Sequence, residues 1–295
     1  MIFETVVTGK WILAGEHSVL RGSPALVFPL WSRNLKLKYW PGTHELTLNL
    51  SGAHGDELQL LFWGVLEKAC ELKKIRRSEL HGTVGIESNL PIGAGLGASA
   101  ALCVGVSRWL SYLKILKPEE LYEFSRQLEN LFHGESSGVD IAIALSGKAL
   151  HFERSGARQE LALGWQPQAY LSYTGKRGVT KECVEKVKDY IKSNPEKGAA
   201  VDLQMRMSVN ACEQALRLPE AEGFALLAAS IREARQCYKQ WGLDGGVCGE
   251  HIALLEKHGA VAVKPTGSGD GGYAFSLWKN PPPKEIEPLL IPCFV

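Results

Sequence analysis

Neither sign of charge is in excess in this sequence. Thirty-three Lys and Arg face thirty-two Asp and Glu, for a formal charge of +1 at pH 7. Proteins that grip nucleic acid or acidic lipid through phosphates carry a basic surplus, so neither partner is expected. Long apolar runs are missing too. No stretch approaches the ~18 residues of a membrane span without a glycine or a charge. The cysteines, at 70, 103, 183, 212, 237, 248 and 293, are odd in number and contain no C-x-x-C pair. That spacing fits neither a disulfide framework nor a zinc site and predicts reduced thiols in a cytosolic chain. The opening residues Met1-Ile2-Phe3-Glu4-Thr5-Val6-Val7 hold an acid and no basic region, so no secretory signal is expected and a cytoplasmic location is. Repeats and low-complexity tracts are absent. So is a Walker A motif, because no Gly-Lys is followed by Ser or Thr.

What is present is an ordinary globular mix, 45% hydrophobic and 22% charged over 295 residues. It excludes disorder and leaves room for about two domains of roughly 150 residues. The densest basic run, Lys73-Lys74-Ile75-Arg76-Arg77, falls at the end of a predicted helix, where cations suit the helix dipole.

Period-two alternation predicts strands at Leu35–Tyr39 and Glu45–Leu50, joined by a hairpin turn at Pro41-Gly42-Thr43-His44. Leu58, Leu61, Phe62, Val65, Leu66 and Ala69 share one face of a helix from Asp56 to Lys74. A short strand at Val84-Gly85-Ile86 leads through a Gly-rich loop into a helix from about Ala98 to Ile115. Pro118 opens another helix that ends at His133-Gly134. Residues 148–153 and 168–174 read as strands around a turn. From Thr180 to about Trp241 the pattern is helical, broken at Asn194-Pro195 and Pro219. Strands return at Ala260–Val263 and Tyr273–Leu277. Strands, then helices, then strands again predict an α+β fold, with a boundary between 150 and 170.

Three segments carry chemistry. Gly9-Lys10-Trp11-Ile12-Leu13-Ala14-Gly15-Glu16-His17-Ser18-Val19 places a lysine and a Glu-His pair beside glycines. Pro91-Ile92-Gly93-Ala94-Gly95-Leu96-Gly97-Ala98-Ser99 lies between a strand and a helix. Its alternating glycines let amides turn inward together, and the helix N-terminus adds the positive end of its dipole, so the segment can cradle phosphate. Ser99 can cap the helix or offer its hydroxyl to a metal. Gly93, Gly95 and Ala98 also fit the dinucleotide fingerprint, but a second helix follows instead of a strand ending in an acid. The third segment runs from Glu129 through His133-Gly134-Glu135-Ser136-Ser137-Gly138-Val139 to Asp140. Its G-x-S-x-G matches the hydrolase elbow, which needs a strand before the serine and a helix after it. Here a helix precedes Ser136, and the apolar run after it reads as a strand. The other reading is two carboxylates, Glu129 and Asp140, one holding Mg²⁺ and the other facing an acceptor hydroxyl. A last Gly-rich loop, Lys264 to Gly272, lies between strands and is either a plain hairpin or a further part of the site. A phosphate loop, paired carboxylates, a lysine and no redox motif point to phosphoryl transfer.

In this order the segments resemble the GHMP kinases. Residues 91–101 are similar to the family's P-x-x-x-G-L-G-S-S-A-A, with Ala98 for the first serine and Ser99 keeping the second. The C-terminal loop resembles the family's third motif, interrupted by Asp270. Gly9-Lys10 through Gly22-Ser23-Pro24-Ala25 resembles the mevalonate kinase branch, as does His133-Gly134-x-x-Ser137-Gly138-Val139-Asp140. In that branch Ser136 is proline, and the residue at Thr8 is generally proline.

The resemblance implies a two-domain fold, a ribosomal-S5-like half over residues 1–160 with the phosphate loop and a ferredoxin-like half over 161–295, with ATP in the cleft. It implies that Asp140 accepts or orients the acceptor hydroxyl and that Lys10 stabilises its carboxylate and the developing charge. Pro91, Gly93, Ala94, Gly95, Leu96, Gly97, Ala98 and Ser99 hold the nucleotide phosphates, and Ser99 and Glu129 hold Mg²⁺. Glu16, His17, Thr180, Gly267 and Ser268 lie toward the acceptor. The implied activity is ATP-dependent phosphorylation of mevalonate, a small-molecule acceptor, in isoprenoid precursor synthesis, with a homodimer left open. Phosphomevalonate is the alternative acceptor, disfavoured because Asp270 would repel a second phosphate. A catalytically silent GHMP-like sensor is the alternative from another class, and retention of Lys10, Glu129 and Asp140 speaks against it.

Overall fold

The computed structural model describes residues 3–52, 55–133, 136–156 and 158–294. Contacts divide the chain into two units. The first takes the chain up to Lys10, then Pro29–Ile92 and Leu96–Gly147; the second takes Trp11–Phe28, Gly93–Gly95 and everything from Lys148 onward.

In the first unit a long strand β2 (Ala25–Glu45, following β1, Phe3–Ala14) pairs antiparallel with β4 (His81–Ser88), Leu37 opposite Ile86 and Tyr39 opposite Val84. Leu35, Leu37, Tyr39, Val84 and Ile86 are buried, while Lys36, Lys38 and Trp40 alternate to the other face. Strand β3 (Thr47–Gly52) pairs parallel with the far side of β4, Leu48 opposite Val84. The expected 41–44 hairpin is therefore not there. Strand β2 continues through Pro41–His44, with a break in its register against β4 between Trp40 and Glu45, and β4 sits between the two segments. Alternation fixes which face a side chain takes but not which strand lies alongside. Gly82 makes the close approach possible: at φ +101° its α-carbon lies so near the Trp40 carbonyl that no Cβ fits.

Helices α1 (Gly55–Lys73), α2 (Ala98–Tyr112), α3 (Leu121–His133) and α4 (Val139–Ser146) complete this unit. In α2, Gly105 lies against Leu35 and Leu37, where even a Cβ would come within 3.4 Å of Leu35. The strand-like run after Ser136 is helix α4. Eight apolar residues cannot be assigned by periodicity alone, and left-handed glycines at both ends, Gly138 and Gly147, close it as a short helix. The hydrolase elbow still fails, since α3 and not a strand precedes Ser136. The basic run ends α1, and Lys73, Arg76 and Arg77 pair with Glu120, Glu79 and Glu67.

The second unit holds the start of β2, where Ala25–Val27 pair with β5 (Leu150–Phe152), which pairs in turn with β6 (Arg158–Glu160). A separate antiparallel sheet has the order β10 (Leu290–Pro292), β7 (Gln168–Tyr173), β9 (Tyr273–Trp278), β8 (Ala262–Thr266). The two segments expected to flank one turn, 148–153 and 168–174, thus lie in different sheets. Helices α5 (Thr180–Ser193), α6 (Pro195–Arg217) and α7 (Glu220–Gln240) break where Pro195 and Pro219 predict. Helix α8 (Gly246–Lys257), unmarked in the pattern reading, packs Ile252 and Leu255 against Val263 and Trp278. Trp11 stacks between Phe28 and Phe275, centroids 4.5 and 5.1 Å away. All seven cysteines are unpaired and buried. Among the described residues no helix is long and apolar enough to cross a membrane.

Candidate active site

The first unit gathers Lys10, Glu129 and Asp140. Strand β1 delivers Lys10, which is buried, and its Nζ lies 3.0 Å from Asp140 Oδ2. Asp140 stands in the first turn of α4, where the helix dipole favours a negative charge. The Lys10 amide donates to Leu96 O at 3.0 Å, tying the strand to the phosphate loop. Gly97, at φ +80°, lies over the lysine stem, and a Cβ there would come within 2.9 Å of Lys10 Cγ. Glycine is required here for both backbone angle and space.

Glu129 on α3 is 1% exposed. Its Oε2 accepts a short hydrogen bond from Ser136 Oγ. Its Oε1 is buried with no partner. Burial, helped by the neighbouring Asp140 charge, holds the Glu129 carboxyl well above the usual carboxylate range, against Ser136 and Lys10. A buried bare carboxylate oxygen beside a second carboxylate is an incomplete cation site. Among the described residues no cluster of three His, Cys, Asp or Glu could hold a metal by itself. That donor set suits Mg²⁺, which takes one or two carboxylates and fills its octahedron with substrate phosphates and water.

The phosphate loop has the predicted build. Gly93, Gly95 and Gly97 have φ of +70°, +86° and +80°, alternating with ordinary residues, and α2 follows at Ala98. Successive amides in such an alternation converge on an anion, and α2 turns the positive end of its dipole toward the same loop. Gly134 and Glu135 of the third motif lie outside the described residues.

In the second unit Glu16 is 2% exposed and its Oε1 lies 2.5 Å from Nζ of Lys264, which is fully buried. Lys264 also sits over the Tyr238 ring, 5.3 Å from its centroid. The backbone of His17 is left-handed, φ +57°. Its Nε2 lies 2.9 Å from Ser268 O, and a carbonyl can only accept, so Nε2 carries the proton. Tyr238 and Trp241 meet the imidazole edge-on. Burial lowers the His17 pKa to about 4, so the ring is neutral. The Tyr238 hydroxyl donates to Gly267 O at 2.5 Å. Arg21 grips Asp202 with two hydrogen bonds of 2.5 Å, fixing the turn after His17 to α6.

Thr180 opens α5 beside the same loop, where Cys183 Sγ donates to Gly269 O. Asp270 pairs with Lys176 at 3.0 Å, both side chains being about half exposed. The Arg177 guanidinium covers Gly93, whose Cβ would lie 3.2 Å from Nε and Nη2. Lys264, Tyr238 and the partner role of Ser136 were not singled out from sequence. The sequence signals are Lys264 directly after the apolar run Ala260–Val263 and Ser136 departing from a motif.

Residues 61–148 match the family model described as GHMP kinases N terminal domain. Over 297 residues the chain is 29% identical to the mevalonate kinase of Thermococcus gammatolerans, covering 91% of this chain and 86% of that one. The chain thus resembles the GHMP kinases over most of its length, and residues 61–148 match their N-terminal domain. A second relative, the mevalonate kinase of Archaeoglobus fulgidus, is 29% identical over 280 residues, covering 94% and 92% of the two chains. Among solved structures, L. major mevalonate kinase in complex with R-mevalonate superposes with a TM-score of 0.78 at 22% identity, over 94% of this chain and 87% of that one. At that identity the likeness establishes the α+β GHMP kinase fold.

Proposed function

We propose that this protein transfers the γ-phosphoryl group of ATP to the primary hydroxyl of mevalonate. The observation that carries the chemistry is the Lys10–Asp140 pair, 3.0 Å apart beside the buried Glu129 carboxylate. Asp140 takes the proton of the attacking hydroxyl, and the Lys10 ammonium stabilises the negative charge on both oxygens. The amides of residues 93–99 hold the nucleotide phosphates. Glu129 and Ser99 would hold Mg²⁺, which when bound neutralises phosphate charge and orients the transferring group. His17, held neutral, and Ser268 are assigned to the acceptor. Glu16 is assigned to keeping that loop in place through Lys264.

The choice of mevalonate rests on the relatives, which bear that name over most of their length. Seven unpaired buried thiols support a reducing, cytoplasmic setting. An ADP-release assay coupled to NADH oxidation, run with mevalonate, phosphomevalonate, homoserine and galactose, tests the acceptor. Mevalonate should give the highest kcat/KM. An equal or higher value for phosphomevalonate would leave the catalytic assignment standing and overturn the acceptor.

A further inference from the structure

Ser136 stands where the resembling mevalonate kinase segment has proline, and the structure gives it three hydrogen bonds. Its Oγ donates to Glu129 Oε2 and accepts from the Gly138 amide at 3.0 Å, and its own amide donates to Asn130 Oδ1 at 2.9 Å. The Gly138 N–H can only donate, so Oγ accepts there and, with Glu129 ionised, turns its proton to Oε2. Proline can form none of these bonds, having neither the hydroxyl nor the N–H.

Consider what this does to Glu129. The terminal torsion of a glutamate is broad and nearly two-fold, so an untethered carboxylate exchanges its two oxygens freely. Here Oε2 is occupied, and Oε1 is left buried and bare. The same hydroxyl holds Gly138, the left-handed cap of α4, two residues before Asp140. One buried side chain, 4% exposed, therefore ties the α3 carboxylate to the turn that presents the base.

We propose that Ser136 is a positioning residue for the divalent cation, fixing the Glu129 carboxylate so that Oε1 is the oxygen offered to it. The proposal rests on Glu129 being a cation ligand. The probe is Mn²⁺, its unbound fraction read by electron paramagnetic resonance in the presence of ADP and the full-length protein. Ser136→Ala should weaken Mn²⁺ binding roughly 10–100-fold, the usual cost of losing a group that orients a metal ligand. ADP binding without divalent cation should stay unchanged, and Ser136→Thr, which keeps the hydroxyl, should bind Mn²⁺ as the wild type does. Glu129→Gln separates the two claims. If Glu129→Gln loses Mn²⁺ while Ser136→Ala stays within about twofold of wild type, the role of Ser136 is overturned and that of Glu129 stands. If neither variant changes Mn²⁺ binding, the reading of Glu129 falls. A Ser136→Ala variant that loses cation-free ADP binding equally, or a threonine variant as weak as alanine, would also overturn the proposal.

Discussion

Replacing Lys264 by Met removes the ammonium from a pair whose side chains are 0% and 2% exposed. The carboxylate of Glu16 would then be buried with Oε2 already lacking a partner and Oε1 newly deprived of one. Breaking a buried ion pair from one side costs about 3–5 kcal/mol, because the remaining charge can neither reach water nor find a counter-ion. Against a total stability of about 5–15 kcal/mol that is roughly a fifth or more. At about 2–4 °C per kcal/mol it corresponds to a fall of roughly 6–20 °C in Tm. Equilibrium urea unfolding and a thermal scan would measure it. The informative variant is the double one, Lys264→Met with Glu16→Gln, in which no charge remains to be stranded. It should recover most of the loss, since exchanging a whole buried pair for neutral groups is often close to neutral. The coupling then appears as strong non-additivity in the double-mutant cycle. A single-variant cost below about 1 kcal/mol, or a double variant that loses the sum of the singles, would show that the pair is not isolated from solvent and refute the reasoning.

Asp140→Asn should lower turnover by about 10²–10⁴-fold, the usual contribution of a general base, while ATP binding is retained; a drop of less than tenfold would remove Asp140 from the chemistry. His17 gives a pH signature. Burial lowers its pKa from 6.5 to about 4, so above pH 6.5 folded and unfolded chains are both neutral there and its contribution is fully present. From pH 6.5 down to about 4 the unfolded chain takes up a proton that the folded one refuses, and stability falls by up to about 3 kcal/mol. His17→Asn, which tolerates the left-handed backbone, should lose that part of the slope, and an identical pH–stability curve in the variant would contradict the assignment.

Local patterns were read well from the sequence where one element decided them. Pro195 and Pro219 punctuate the helices where expected, and the alternating glycines of the phosphate loop all adopt the left-handed angles their spacing suggested. The failures share a cause. The hairpin at Pro41–His44 was wrong because β4, forty residues later, inserts between its two arms, and no local window contains that information. Helix α4 was misread because eight apolar residues serve either a buried strand or a short buried helix. At the site, Lys10 and Asp140 are legible from the residues as chemistry, and as neighbours only through the family resemblance. Their 3.0 Å contact joins residues 130 positions apart. The burial of Glu16 was not legible either, because its partner Lys264 lies at the other end of the chain. The pairing of Asp270 with Lys176, 94 positions away, is likewise absent from any local window.

The second unit is sewn from three separate lengths of chain, and this has consequences for how it is made. Ile12 and Thr266 exchange two hydrogen bonds across 254 positions, and Glu16 meets Lys264 across 248. A fragment starting at Lys148 would lack the edge that receives β5, the ring that stacks on Phe275 and the acid that neutralises Lys264. It cannot be a self-sufficient folding module. On a ribosome moving at about 5–20 residues per second, residues 11–28 wait roughly 12–50 s before β8 exists. Throughout that interval Trp11, Leu13, Leu26 and Phe28, all interior in the finished protein, belong to a nascent chain whose destination has not been synthesised. The segment that carries Glu16 and His17 is thus without its packing partners until most of the chain has been made.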